Sequence, residues 1–219
     1  MNRLRRGAWP LACLLLVVAS ALVGWAASRP GLPPEALAWH RGDWPGAPWT
    51  LWSGPLLHRL APHALANMLA LGALAVLGAA LAARPRDALA LLLAWPLGTL
   101  ALLAWPTVGG YYGLSGLVHS AAAVLAVRAL RAPSTRWLGH LLAAGLVLKL
   151  GLERGWARPA GFDADWGFNV VHAAHLTGAL VGAAAALLLD MVPFRRSFPR
   201  GREFSHRANS NTGFPPSRE

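Results

Sequence analysis

Apolar residues in this chain come in long runs separated by short polar breaks. Six runs approach the roughly 20 residues that a membrane-spanning helix needs: 7–28, 62–83, 87–106, 113–130, 137–152 and 169–192. The third contains Pro96. The pattern predicts an all-α membrane protein, a bundle of six transmembrane helices formed by residues 1–192. Residues 193–219 are rich in Arg, Ser, Pro and Asn and predict a flexible basic tail.

Composition narrows the class. Hydrophobic residues make up 55% of the chain and charged ones only 13%, yet the net charge is +11. A disordered chain would pair high charge with low hydrophobicity. A soluble domain has little use for so apolar a composition. A nucleic-acid-binding domain would carry its basic residues on a polar folded surface. Here they lie between apolar runs, so no nucleic-acid partner is expected. Cys13 is the single cysteine, which excludes an intramolecular disulfide and thiolate zinc sites.

The basic residues instead predict topology. With the N-terminus in the cytoplasm, the inside segments hold Arg3, Arg5, Arg6, Arg84, Arg86, Arg128, Arg131, Arg136 and six tail arginines from Arg195 to Arg218, 14 of 20 in all. The outside segments hold Arg29, Arg41, Arg59, Lys149, Arg154 and Arg158. Positive residues favour the cytoplasmic side, so both termini are expected there. A basic start followed by an apolar run also describes a signal peptide, and Ala26 and Ser28 suit a cleavage site. Retention as a first span is the expectation; cleavage would leave five spans in the same orientation. The first outside loop, 29–61, carries Trp39, Trp44, Trp49 and Trp52 and is expected to lie at the outer membrane surface.

Ionisable and polar residues inside spans are costly and point to function. Most here fall in the outer half. His63 and Asn67 are four apart, so they share a helix face and their donors can converge on one acceptor; an interhelical hydrogen-bond pair is the plainer alternative. Ser115 lies in Gly113-Leu114-Ser115-Gly116, after Gly109-Gly110. Gly113 and Gly116 free the backbone and admit a neighbouring helix. A serine at a helix start sits beside unpaired N–H groups that can stabilise negative charge. The motif by itself also suits simple packing. His175 shares a face with Gly178 and Gly182, a close-packing surface. Set against Gly116 and Ser120, it would bring the imidazole to Ser115 as general base. His119 and His172 compete for that role. Lys149 and Glu153 are an i,i+4 pair, read either as an interfacial ion pair or as part of a recognition surface.

Together these residues resemble the rhomboid family of intramembrane serine proteases. His58, His63 and Asn67 match its H-x4-H-x3-N, Gly113 to Gly116 its G-x-S-G, and Ala174-His175 with Gly178 and Gly182 its A-H-x-x-G-x-x-x-G. The resemblance implies a rhomboid-like fold with a Ser115–His175 dyad that uses no carboxylate. It implies an oxyanion hole from His63, Asn67 and the Ser115 N–H, a loop-structuring role for His58, and no cofactor. Trp49 is followed by Thr50 where the family usually has Trp-Arg. The stretch from Gly113 to His119, with Lys149, Glu153 and Ala174-His175-Leu176, is most similar to the rhombosortase branch. That branch implies a bacterial inner-membrane protease acting on membrane-anchored exported proteins with a C-terminal Gly-Gly, transmembrane and basic signal. An inactive rhomboid-like protein that binds membrane helices is the main alternative. A haem or metal protein using His63, His119, His172 and His175 would leave Ser115 and Asn67 without a role.

Overall fold

The computed structural model describes residues 2–31 and 33–192, with side chains from residue 7 onward. The expected tail at 193–219 lies outside the described residues. The apolar runs fold as helices α1 (Asn2–Ala27), α3 (Ala61–Ala80), α4 (Pro85–Leu100), α5 (Ser115–Leu130), α6 (Arg136–Glu153) and α7 (His172–Met191), and a short α2 (Thr50–Leu56) forms within the first long loop. Among the described residues, four helical stretches are long and apolar enough to cross a membrane: Gly7–Ala27, Ala61–Ala80, Pro85–Ala104 and His172–Met191. The other two expected spans differ from these. Helix α5 has 16 residues. Helix α6 has 18 and includes Arg136, Lys149 and Glu153.

Helix α5 sits at the centre, packed against α3, α4, α6 and α7. It can do so because its buried positions alternate small residues (Gly116, Ser120, Ala121, Ala129) with Leu117, Val124 and Leu125. Outward faces stay apolar. Leu69, Val76, Val147, Leu152 and Leu188 are all exposed. Helices apolar on every side suit a lipid surround. Helix α1 is stitched into the bundle. Trp9 is fully buried and donates its indole N–H to the Leu74 carbonyl at 3.0 Å.

Charges gather at one end. Asp87 accepts the Arg84 backbone N–H at 2.6 Å, closing the start of α4. Arg84 also pairs with Asp190 at 2.7 Å, Arg86 with Asp190 at 3.1 Å and Arg128 with Asp87 at 3.7 Å. Arginines read in the sequence as topology markers therefore also tie α4, α5 and α7 together.

At the opposite end the loops are ordered. Strand β1 (Trp39–His40) pairs antiparallel with β2 (Gly110–Tyr111). Trp39, expected at the membrane surface, is fully buried with Leu51, Leu102, Val108 and Tyr111; Trp49 and Trp52 stay exposed. The Arg41 guanidinium donates to the carbonyls of Leu102 (2.8 Å), Trp105 (2.7 Å) and Val108 (3.2 Å), clamping the segment before β2. Between α6 and α7 a hairpin forms from β3 (Gly161–Asp163) and β4 (Phe168–Val170). Its turn is closed by Asp163, whose carboxylate accepts the N–H of Asp165 at 3.0 Å, and by Gly167 at φ +70°.

Candidate active site

The segment entering α5 is held from several sides. Gly113 has φ +116°, a backbone state that side chains disfavour. Its N–H donates to the Gly54 carbonyl of α2 at 3.1 Å. The Tyr111 hydroxyl donates to the Gly113 carbonyl and accepts the Gly116 N–H at 3.3 Å. The Leu114 N–H donates to His58 Nε2 at 3.3 Å. Leu114 is fully buried, so its side chain anchors the turn while Ser115, half-buried, begins the helix.

Helix α7 approaches α5 through glycine. Gly178 lies directly on the Gly116 carbonyl, with no room for a Cβ, and Ser120 Oγ is 2.9 Å from the Gly178 carbonyl. This contact sets His175 one turn earlier beside Ser115. His175 Nε2 and Ser115 Oγ are 2.9 Å apart. His119, one turn after Ser115, donates Nδ1–H to the Ser115 carbonyl at 2.8 Å. Its ring stacks on His175 at 4.2 Å, nearly parallel at 9°. His119 therefore covers a face of the imidazole and does not reach the serine hydroxyl itself. The His172 ring is 6.1 Å from that of His175, and its Nδ1 is buried without a partner among the described residues.

The second nitrogen of His175 is also occupied. Both carboxylate oxygens of Glu153 lie on Nδ1, at 3.0 and 2.9 Å. Lys149 Nζ sits 2.6 Å from Glu153 Oε1. The end of α6 reaches α7 because Gly155 takes the next place. A Cβ on Gly155 would fall 2.6 Å from the His172 carbonyl oxygen. Arg154, at φ 53°, turns the chain out of the helix just before it. The ion pair expected from the i,i+4 spacing is present, and its carboxylate faces a histidine that the sequence did not connect to it.

His63 and Asn67 are buried on α3, facing the same region. The Asn67 amide nitrogen donates to the His63 carbonyl at 3.0 Å and lies 3.3 Å from His58 Nε2. His63 Nδ1 is buried without a partner among the described residues, and a Cβ on Gly113 would fall 3.3 Å from its ring. The hairpin covers His63: the Trp166 ring lies 5.1 Å away, tilted by 53°, and the Phe168 ring meets it edge-on at 5.2 Å. His58 bridges four elements, with Nδ1 near the Leu56 carbonyl and Ser20 Oγ of α1, both at 3.3 Å. Burial, with His63 adding to it, pushes His58 down from the usual 6.5 to about 4, so its ring is neutral.

Sequence reasoning did not single out Tyr111, Arg41, Gly155, Trp166 or Phe168. Tyr111 stands four residues before Ser115, but only the strand geometry turns its hydroxyl onto Gly113 and Gly116. One group of metal-capable donors occurs among the described residues, His119, Glu153 and His175, with donor atoms within 4.8 Å of one another. A metal there would have to break the His175–Glu153 hydrogen bonds.

A family model described as "Rhomboid domain" matches residues 45–191. The match contains His58, His63, Asn67, Ser115, Glu153 and His175. No curated protein matches the chain.

Proposed function

The chain belongs to the rhomboid family, whose members are intramembrane serine proteases, and on that premise we propose that it cleaves membrane-anchored proteins through Ser115 and His175. The observation that carries this is the 2.9 Å approach of His175 Nε2 to Ser115 Oγ at the start of α5. It is a nucleophile within hydrogen-bond reach of a base.

Ser115 Oγ attacks the scissile carbonyl while His175 Nε2 takes its proton. His175 then returns the proton to the leaving amine, and water hydrolyses the acyl-enzyme by the same route. The oxyanion is received by the N–H of Ser115, unpaired as at any helix start, and by His63 and Asn67. Asn67 then turns its amide from His58 and the His63 carbonyl toward the substrate. A peptide bond is attacked only when its helix has unwound, so a substrate with small flexible residues at the scissile point is favoured.

In this reading α5 and α6 complete a six-span bundle whose arginine-rich end faces the cytoplasm and whose serine end opens outward. Excess basic residues at the Arg84 end support that orientation. A bacterial inner-membrane setting and a Gly-Gly-transmembrane-basic substrate signal follow the rhombosortase-like residues Gly113 to His119, Lys149, Glu153 and Ala174 to Leu176.

The test is cleavage of a membrane-anchored reporter ending in Gly-Gly, a transmembrane helix and a basic end, with labelling by a fluorophosphonate probe. Wild type is expected to do both and Ser115→Ala neither. Labelling of Ser115→Ala at the wild-type level would overturn the nucleophile. Labelling without reporter cleavage would remove only the proposed substrate signal.

A further inference from the structure

We propose that Glu153 is a positioning residue that completes a Ser115–His175–Glu153 relay, with Lys149 holding the carboxylate in its charged form. The inference rests on Ser115 and His175 acting as the nucleophile and base.

The three groups are in line. Ser115 Oγ meets Nε2 of His175 at 2.9 Å, and Glu153 meets the opposite nitrogen, Nδ1, at 2.9 and 3.0 Å. An ionised carboxylate can only accept hydrogen bonds, so it requires the proton on Nδ1. That leaves the lone pair on Nε2, the one tautomer able to take a proton from the serine. An imidazole without such a partner is free to carry its proton on either nitrogen. The same carboxylate then stabilises the imidazolium that forms as the serine attacks.

Burial sharpens the argument. The side chains of Glu153 and His175 are 10% and 7% exposed. A carboxylate so placed is costly unless it is paired. Lys149 supplies the counter-charge at 2.6 Å from Oε1, and its own side chain is 56% exposed. An ammonium largely in contact with the surroundings loses little hydration while it neutralises the acid. An i,i+4 ion pair by itself would not require both carboxylate oxygens to lie on a histidine 22 residues further along the chain. The approach is also built into the backbone, since Gly155 leaves no space between the end of α6 and the His172 carbonyl.

The groups that face His175 are Ser115 and His119 from α5, Glu153 from α6 with Lys149 behind it, and His172 from its own helix. Among them Glu153 is the carboxylate. His119 stacks face to face and gives its Nδ1 proton to the Ser115 carbonyl, so it does not orient the base through a hydrogen bond.

The experiment measures fluorophosphonate labelling rates on the full chain in detergent for wild type, Ser115→Ala, Glu153→Gln and Glu153→Asp. Glu153→Gln preserves shape and removes the charge. It is expected to slow labelling by at least about 10²-fold, toward the roughly 10⁴-fold loss seen when a triad carboxylate becomes an amide. Glu153→Asp restores part of the rate. In parallel, ¹⁵N-histidine NMR of the wild type, with His175 assigned by difference against His175→Ala, is expected to show the Nδ1–H tautomer. Glu153→Gln is expected to lose it. Labelling of Glu153→Gln at the wild-type rate would overturn the relay while leaving Ser115 in place. An Nε2–H tautomer in the wild type would overturn it without any variant at position 153. Labelling that survives Ser115→Ala would instead remove the underlying nucleophile assignment.

Discussion

Gly182 of α7 lies against the main chain of Ser120 in α5: a Cβ placed on it would fall 2.7 Å from the Ser120 carbonyl oxygen and 2.9 Å from its Cα. The obstacle is backbone, so it cannot swing aside as a side chain would. Gly182→Ala is expected to push the two helices apart and to cost about 1–3 kcal/mol as an overpacked contact. The 2.9 Å Ser115–His175 approach opens with it. A misplacement near 1 Å lowers the labelling rate by about 10²-fold. Thermal unfolding in detergent and fluorophosphonate labelling, measured on the same preparation, check both effects.

Asn67 places its amide between the His63 carbonyl and His58 Nε2. As a proposed oxyanion donor it is engaged when the reaction starts and redirected as charge develops. Asn67→Ala is expected to lower kcat for the reporter by about 10²–10³-fold, the usual loss of one such donor. KM should change little, because the interaction strengthens only in the transition state. A rise in KM with unchanged kcat would assign Asn67 to ground-state binding.

His58 links stability to pH. Burial, reinforced by His63, lowers it from 6.5 to about 4 in the fold. The unfolded chain therefore takes up this proton first as pH falls. Stability drops as pH falls from about 6.5 to about 4 and levels off below, where both states are protonated. His58→Leu is expected to be less stable at neutral pH, because the Leu114 N–H loses its acceptor. It should also show a flatter decline through that window. Melting temperatures of the two proteins across the same pH range test the difference in slope.

Arg41 satisfies three carbonyls, those of Leu102, Trp105 and Val108. Arg41→Met keeps much of the stem but leaves these acceptors unpaired. It is expected to cost about 1–3 kcal/mol and to slow labelling of Ser115, since the released segment leads through β2 into Gly113. Arg41→Lys should not rescue it, because one ammonium cannot reproduce a planar fork. Thermal unfolding and labelling of both variants check the expectation.

Much of the site was legible because helix periodicity is local. His63 and Asn67, and His175 with Gly178 and Gly182, fall on common faces whatever the helices later meet. Six helices occur where the six apolar runs predicted them, with ends displaced by a few residues, as α3 at Ala61–Ala80 against 62–83 illustrates. Trp39 was less legible. Its sequence neighbourhood suits a membrane surface, and it entered a core formed with Leu102 and Tyr111. Lipid and a protein core reward the same apolar side chain, so composition cannot choose between them. The β3–β4 hairpin was not foreseen either, since strands of three residues carry too little pattern to stand out.

By itself, the sequence determined the apolar helices, the glycines that permit α5 and α7 to touch, and the residue types at the candidate site. Each follows from properties of a residue and its neighbours along one helix. Tertiary structure alone decided that Glu153 would face His175, that His119 would stack rather than bond to the serine, and that His58 would hold the Leu114 N–H. Those relations depend on the depth and rotation of each helix against the others, which contacts across the bundle determine and periodicity along one helix cannot.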